Sequence, residues 1–339
     1  GGGAFYRMKR RGFDSAFSPS GLAYVPDENS GLGLKAMVLF SIMNEKAVNG
    51  GAGFEMLFNR SGGLDRMGLY GEAHIMKVID LPNPAKAITD KMKQMADKSG
   101  LSGVTDKLSG NKKTKPFVDV AQESYPAKVE GEAGFNAYIG IEYDFQNKVL
   151  HGEANLYVDV VGGVVQGRAS GGRAGWAVVH IEKDEWYFHM GTSQDRLGLK
   201  VGFGPLRLET GGYFMIGDYM PASPPPPPEV AQILGVEAET LNYMRDENAL
   251  SSGRGFAFGM DFKVDTGDMQ FLMFYARFVA GGGFDIMLRD YGQAKCANTG
   301  DQVGIDGWYA NGQAYAYLQG ELGIRINLVF VKKKIPIIK

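Results

Sequence analysis

The sequence predicts an all-β protein with minor helix: large antiparallel sheets of repeated hairpins, sandwich-like or groove- and barrel-like, with two peripheral helical segments. Three observations carry this. Apolar residues recur at every second position in run after run, the runs are separated by Gly, Asn, Asp and Pro clusters, and only two stretches show helical spacing. The 49 glycines follow no collagen period and fall at turns and inside strands, where they permit tight bends and close backbone approach.

Taken in order, the basic start Arg7 to Arg11 reads as a solvated segment. Strand patterns follow at Met37–Phe40, Phe54–Phe58 and Met67–Val78. Gly31-Leu32-Gly33-Leu34-Lys35-Ala36 matches a dinucleotide fingerprint by letter, but no strand precedes it and no helix opens after it. Asn83-Pro84 with Ile88, Met92, Met95 and Ala96 predicts a helix over 84–98, and the polar stretch 102–116 reads as a linker. Ala137–Val160 forms a hairpin around Gln146-Asn147, with one dry and one wet face. Trp176–Met190 turns at Lys183-Asp184, and Leu197–Leu208 turns at Gly204-Pro205. Pro221 and Pro224–Pro228 make a stiff spacer into a helix over 229–250, broken at Gly235.

The clearest hairpin is expected at 255–280. Phe256, Phe258, Met260 and Phe262 alternate toward the turn Asp265-Thr266-Gly267-Asp268, and Met269, Phe271, Met273 and Tyr275 alternate after it. A four-residue turn sets Phe262 opposite Phe271 and Met260 opposite Met273, giving an apolar face that is the candidate groove or interface. The last strand keeps its apolar parity from Ala314 to Phe330, which at about 3.3 Å per residue is roughly 55 Å, a length suited to large sheets, barrels or grooves. These segments divide the chain into hairpin regions at 1–82, 117–220 and 251–339, with 83–116 and 221–250 between them.

Composition narrows the function classes. The 36 basic and 38 acidic residues are interspersed and leave a net charge of −2, so nucleic acid is not an expected partner. One cysteine, Cys296, allows neither an intrachain disulfide nor a thiolate metal cluster. The chain begins Gly1-Gly2-Gly3 without a signal-peptide pattern and stops just after a strand-like run, which suggests a piece of a longer parent.

The four histidines offer few catalytic or metal-binding combinations. His180 should oppose Tyr187 diagonally from His189, without an evident third ligand, and His151 with Glu142 and Glu153 reads as a solvated face. Asp301–Gly307 lacks the ligand spacing of a calcium loop, and no nucleophile elbow, phosphate loop or zinc-protease helix occurs. No cofactor and no metal are expected, and the absence of such motifs points away from an enzyme.

The expectation is therefore a non-enzymatic structural or interaction module of a bacterial cell-envelope or surface protein, its partners being the rest of a parent chain, other proteins or lipid. Strands of the form Gly71-Glu72-Ala73-His74-Ile75 and Gly152-Glu153-Ala154-Asn155-Leu156, each just after a turn, make a weak internal repeat. In texture they resemble the long amphipathic sheets of AsmA-type lipid-transport bridge proteins, which implies that the face of Phe256, Phe258, Phe262 and Phe271 lines a groove for acyl chains. Two further alternatives stand beside it. One is an outer-membrane β-barrel, with its helices, proline run and uneven strands against it. The other is a carbohydrate-binding or glycoside-hydrolysing sandwich using Trp186, Trp308 and Tyr309 with carboxylates from Glu142, Asp144 and Glu153.

Overall fold

The computed structural model describes residues 1–10, 24–42, 48–78, 132–160, 163–222, 225–242, 253–271, 274–328 and 331–338. The helix expected at 84–98, the linker 102–116, residues 243–250 and Met273 lie outside the described residues.

One antiparallel sheet of 16 strands dominates. Its main path runs through β1 (Gly2–Tyr6), β4 (Ser30–Ile42), β5 (Val48–Asn59), β6 (Leu64–Val78), β7 (Glu132–Asp144), β8 (Val149–Val160), β10 (Arg173–Ile181) and β11 (Trp186–Met190). It continues through β13 (Leu206–Gly217), β14 (Gly255–Asp265), β16 (Phe274–Asp290), β17 (Trp308–Leu328) and β18 (Val331–Ile338). The short strands β9 (Val165–Gly167), β12 (Leu197–Phe203) and β15 (Met269–Phe271) attach beside this path, and β2 (Met8–Arg10) pairs with β3 (Tyr24–Pro26) as a separate ribbon. Neighbours in sequence are neighbours in space, as expected when short turns join antiparallel strands.

The registers follow the alternation. Ala137 faces Leu156, Ile139 faces Ala154 and Tyr143 faces Leu150, while His180 stands opposite Tyr187 and Phe203 opposite Leu206. The two Gly-x-Ala strands of the internal repeat flank one strand: Gly71 pairs with Ile139 and Gly152 with Ile141, on either side of β7.

The central hairpin departs from expectation. β14 does not pair with 269–275: Phe262 lies opposite Gly282 and Met260 opposite Phe284, while β15 folds back so that Phe271 pairs with Phe274. Two local forces set this register. The Asp265 carboxylate accepts the Gly267 amide at 2.8 Å and the Arg277 Nε at 2.9 Å, which holds the longer loop closed. The run Gly281–Gly283 leaves room for aromatic rings that any Cβ would strike: Tyr317 over Gly281, Phe262 over Gly282 and Tyr315 over Gly283. The glycine run is thus the seat of flanking rings.

The helix predicted over 229–250 breaks at Gly235, as expected. It is α1 (Pro228–Leu234), entered from Pro227 at φ −52° and ψ 148° and ended by Gly235 in the left-handed region at φ 69°; a 3-10 turn, Ala238–Leu241, follows.

Candidate functional site

The sheet has one face almost without polar side chains. Tracing the paired registers strand by strand, it is formed by alternate residues in the runs Leu32–Phe40, Gly50–Met56, Met67–Ile75, Phe135–Tyr143, Leu150–Val158 and Gly175–Ile181. It goes on through Trp186–Met190, Leu208–Ile216, Phe256–Val264, Phe274–Leu288 and Trp308–Ile324. Within these runs no charged side chain occurs on the face; Asp290, the direct partner of Trp308, stands at its edge. Apart from Tyr143 and the two tryptophans, Thr210 is the one polar side chain on it. This dry face is open over much of its extent: Leu318 is 73% exposed, Val38 65%, Leu69 54% and Phe262 53%, whereas Val158 near the end of β8 is buried in a small apolar cluster with Val160, Val165, Ala174 and Leu199. Several of its runs match the roughly 9–11 residues with which a tilted strand crosses a hydrocarbon layer. Tyr143, Trp186 and Trp308 end such runs along one edge of the sheet, next to their turns.

The opposite face is charged, aromatic and covered. The β2–β3 ribbon, the loop after β11 and α1 fold over the sheet on this side. The β2–β3 ribbon brings Arg10 to Glu142 at 2.8 Å, where Glu142 also meets Arg66 at 3.0 Å and the Tyr70 hydroxyl at 2.9 Å; Tyr24 donates to Glu55 beside them. The loop after β11 lowers Arg196 onto Asp285 at 2.7 Å, and Gln313 donates to the second Asp285 oxygen at 2.9 Å. Arg168 grips Asp261 in two-pronged fashion, one arm at 2.7 Å. These groups, with Ser193–Asp195, Pro225, Pro227 and Tyr315, line a cavity of about 320 Å³. α1 lies alongside, its Glu229 2.5 Å from Lys263 of β14. Asp285 is wholly buried, and Tyr275, Glu55 and Tyr70 nearly so, whereas the leucines and phenylalanines across the sheet are not.

This distribution inverts that of a water-soluble sheet, which buries its dry face and wets the other. Every buried carboxylate named above is engaged by an arginine or a tyrosine.

Of the sequence-predicted residues, Phe256, Phe258, Met260 and Phe262 share the dry face, with Met260 and Phe262 about half exposed. Phe271 pairs through its backbone with Phe274. Tyr275 lies on the charged face, buried, with its hydroxyl donated to Glu321 at 2.5 Å; the register of β16 gives its place on the dry face to Phe274 and Phe278. Trp186, Trp308 and Tyr309 are exposed, but Glu142, Asp144 and Glu153 project from the face opposite the two tryptophans, and Glu142 and Asp144 are paired with Arg66. Among the described residues, these three carboxylates do not share a face with Trp186 and Trp308.

Sequence reasoning missed Arg10, Arg168, Arg196 and Asp285, whose partners are 93 residues apart for Arg168 and Asp261 and 89 for Arg196 and Asp285. For Asp285 the available signal was parity, since it falls between the apolar positions of β16; Arg168 and Arg196 lie just outside strands, where alternation gives no signal. No group of three metal-ligating side chains gathers among the described residues. No protein family, curated protein or solved structure matches this chain.

Proposed function

We propose that this chain forms the wall of an outer-membrane-type β-barrel, a non-enzymatic envelope component whose dry face meets lipid and whose charged face lines a plugged interior. The observation that carries this reading is the largely uncovered apolar face, uncharged through the runs traced above, that extends from β4 to β17. An exposed apolar area of that extent is unfavourable in water at roughly 25 cal/mol per Å², so something apolar must cover it. A bilayer fits better than a protein partner on three counts: the face lacks the charged rim residues of protein interfaces, its runs have the length that crosses a bilayer, and aromatic residues stand at one edge of it.

Helices and prolines do not weigh against a barrel when they sit inside it. α1, Pro225 and Pro227 belong to the charged side, where barrels carry plugs. The membrane also accounts for exposed Trp186 and Trp308 without a sugar. Among the described residues β1 and β18 are not paired with each other, so closure falls to that seam or to further strands of a parent chain.

The test is partition and depth. The chain should sediment with membranes, be released only by detergent, and, once in liposomes, show Trp186 and Trp308 fluorescence quenched by lipids brominated near the headgroup. A protein that stays soluble without detergent and carries extractable acyl lipid would favour the groove implied by the AsmA-type resemblance. One that stays soluble and lipid-free would leave a structural module whose dry face meets protein.

A further inference from the structure

The cavity of about 320 Å³ on the charged face lies between the sheet and the segments folded over it. Its floor is Asp261 of β14, Asp285 of β16, and Gln313 and Tyr315 of β17; its roof is the loop Ser193–Arg196 with Pro225 and Pro227. The roof is latched to the proline segment: the Ser193 hydroxyl donates to the Ala222 carbonyl at 3.2 Å, and the Gln194 amide donates to the same oxygen.

The charges around this space cancel in pairs. Arg168 holds Asp261 with both arms, Arg196 holds Asp285, and Asp195 reaches outside the lining to Arg173 at 2.7 Å. Two buried polar atoms are left over. Arg196 Nη1 and Gln313 Oε1 have no hydrogen-bond partner, Asp261 Oδ2 standing 3.9 Å from the former, beyond hydrogen-bond reach. Both belong to side chains whose other arm grips Asp285, Arg196 through Nη2 and Gln313 through Nε2. An unmet donor and an unmet acceptor therefore flank one carboxylate at the cavity.

A hydroxyl answers both needs, because it accepts and donates through one oxygen. An ammonium has no lone pair to offer Arg196, and an anion has no proton for Gln313 and would face Asp261 and Asp285. The space exceeds by far the roughly 30 Å³ of one water and falls at the lower end of the ~300–1,000 Å³ of small-molecule sites. Pro225, Pro227 and Tyr315 add apolar walls that suit carbon-bound hydrogens and that water does not use. We infer that this cavity binds a neutral polyhydroxylated solute of monosaccharide size, held by Arg196 and Gln313 beside Asp285. The site belongs to the covered face and is independent of the membrane reading.

The experiment is a saturation-transfer NMR titration of the folded full chain, in a detergent without a sugar headgroup if one is needed. The probes are glucose and myo-inositol, with gluconate and glucosamine as charged analogues. Saturable binding of glucose or myo-inositol is expected, with both charged analogues weaker by about tenfold or more. Gln313→Met removes the acceptor and should weaken the polyol about tenfold. Gln232→Ala, at the neighbouring gap of about 290 Å³ beside α1, should bind as wild type. Should Gln313→Met fail to fold, Gln194→Ala, an exposed change that unlatches the roof, should weaken the same binding. Absence of saturable binding of either polyol leaves a cavity that holds water only and overturns the proposal. Equal affinity for gluconate or glucosamine, or unchanged affinity in Gln313→Met, overturns it as well.

Discussion

Asp285 shows what a single residue does here. It is wholly buried, and both carboxylate oxygens are used, one by Arg196 and one by Gln313. Removing one partner of a buried ion pair leaves the other charge stranded, so Asp285→Ala should destabilise the fold by about 3–5 kcal/mol, read from urea unfolding midpoints. Asp218, just past β13, is a milder case with a pH signature. Burial works against its charged form, but the Arg254 guanidinium at 2.8 Å and the Trp186 amide outweigh that and hold its pKa below the ordinary 3.8. A carboxyl depressed in the fold stabilises fully above its unfolded pKa and loses that contribution as pH falls below about 4. Asp218→Asn should therefore cost about 1 kcal/mol near neutrality, Arg254 being largely solvated, and should flatten the acid limb of stability between pH 4 and pH 2.

Single elements differ in what secures them. α1 is short, and its contact with the sheet combines one ion pair, Glu229 to Lys263, with a gap of about 290 Å³ bordered by Gln232, Arg277, Gln319 and Glu321. Glu229→Gln should loosen α1 alone, seen as faster amide exchange over 228–234 while β14 and β16 exchange as before. β17 offers a contrasting pair of positions. Leu318 on the dry face and Gln319 on the charged face are adjacent, so Leu318→Arg and Gln319→Arg place the same charge on opposite sides. In a bilayer the first should cost about 2–4 kcal/mol of insertion stability and the second far less, measured by refolding into liposomes. Equal effects would count against the lipid-facing assignment.

On the scale of the whole molecule, much of the apolar material faces outward, while the covered side holds the paired charges and a buried cluster of Tyr213, Met215, Met220, Ala257 and Met287. The main ion pairs of the charged face join segments far apart in sequence: the β2–β3 ribbon against β6 and β7, the loop at Arg196 against β16, and α1 against β14. Detergent should consequently be required to keep the chain monodisperse, and in its absence light scattering should report aggregation through the exposed face. The same arrangement makes a simple open pore a poor description, since the charged side is occupied by protein.

The sequence by itself determined the strands and most turns, because alternation and Gly, Asn or Pro punctuation are local and each strand pairs with its neighbour; the hairpins at 137–160 and 176–190 and the turn at Gly204-Pro205 were legible residue by residue. It also determined that each strand has a dry side and a wet side. Tertiary structure alone decided which side is covered. Alternation is symmetric with respect to inside and outside, so Phe262 and Asp261 read alike in a soluble sandwich and in a membrane wall, and only the ribbon, loop and helix folded over Glu142, Asp285 and Lys263 break the tie. The register at Gly281–Gly283, the burial of Tyr275 and the meeting of His151 with His180 likewise depended on pairing, because a loop's length and a neighbour across a ladder are not properties of one strand.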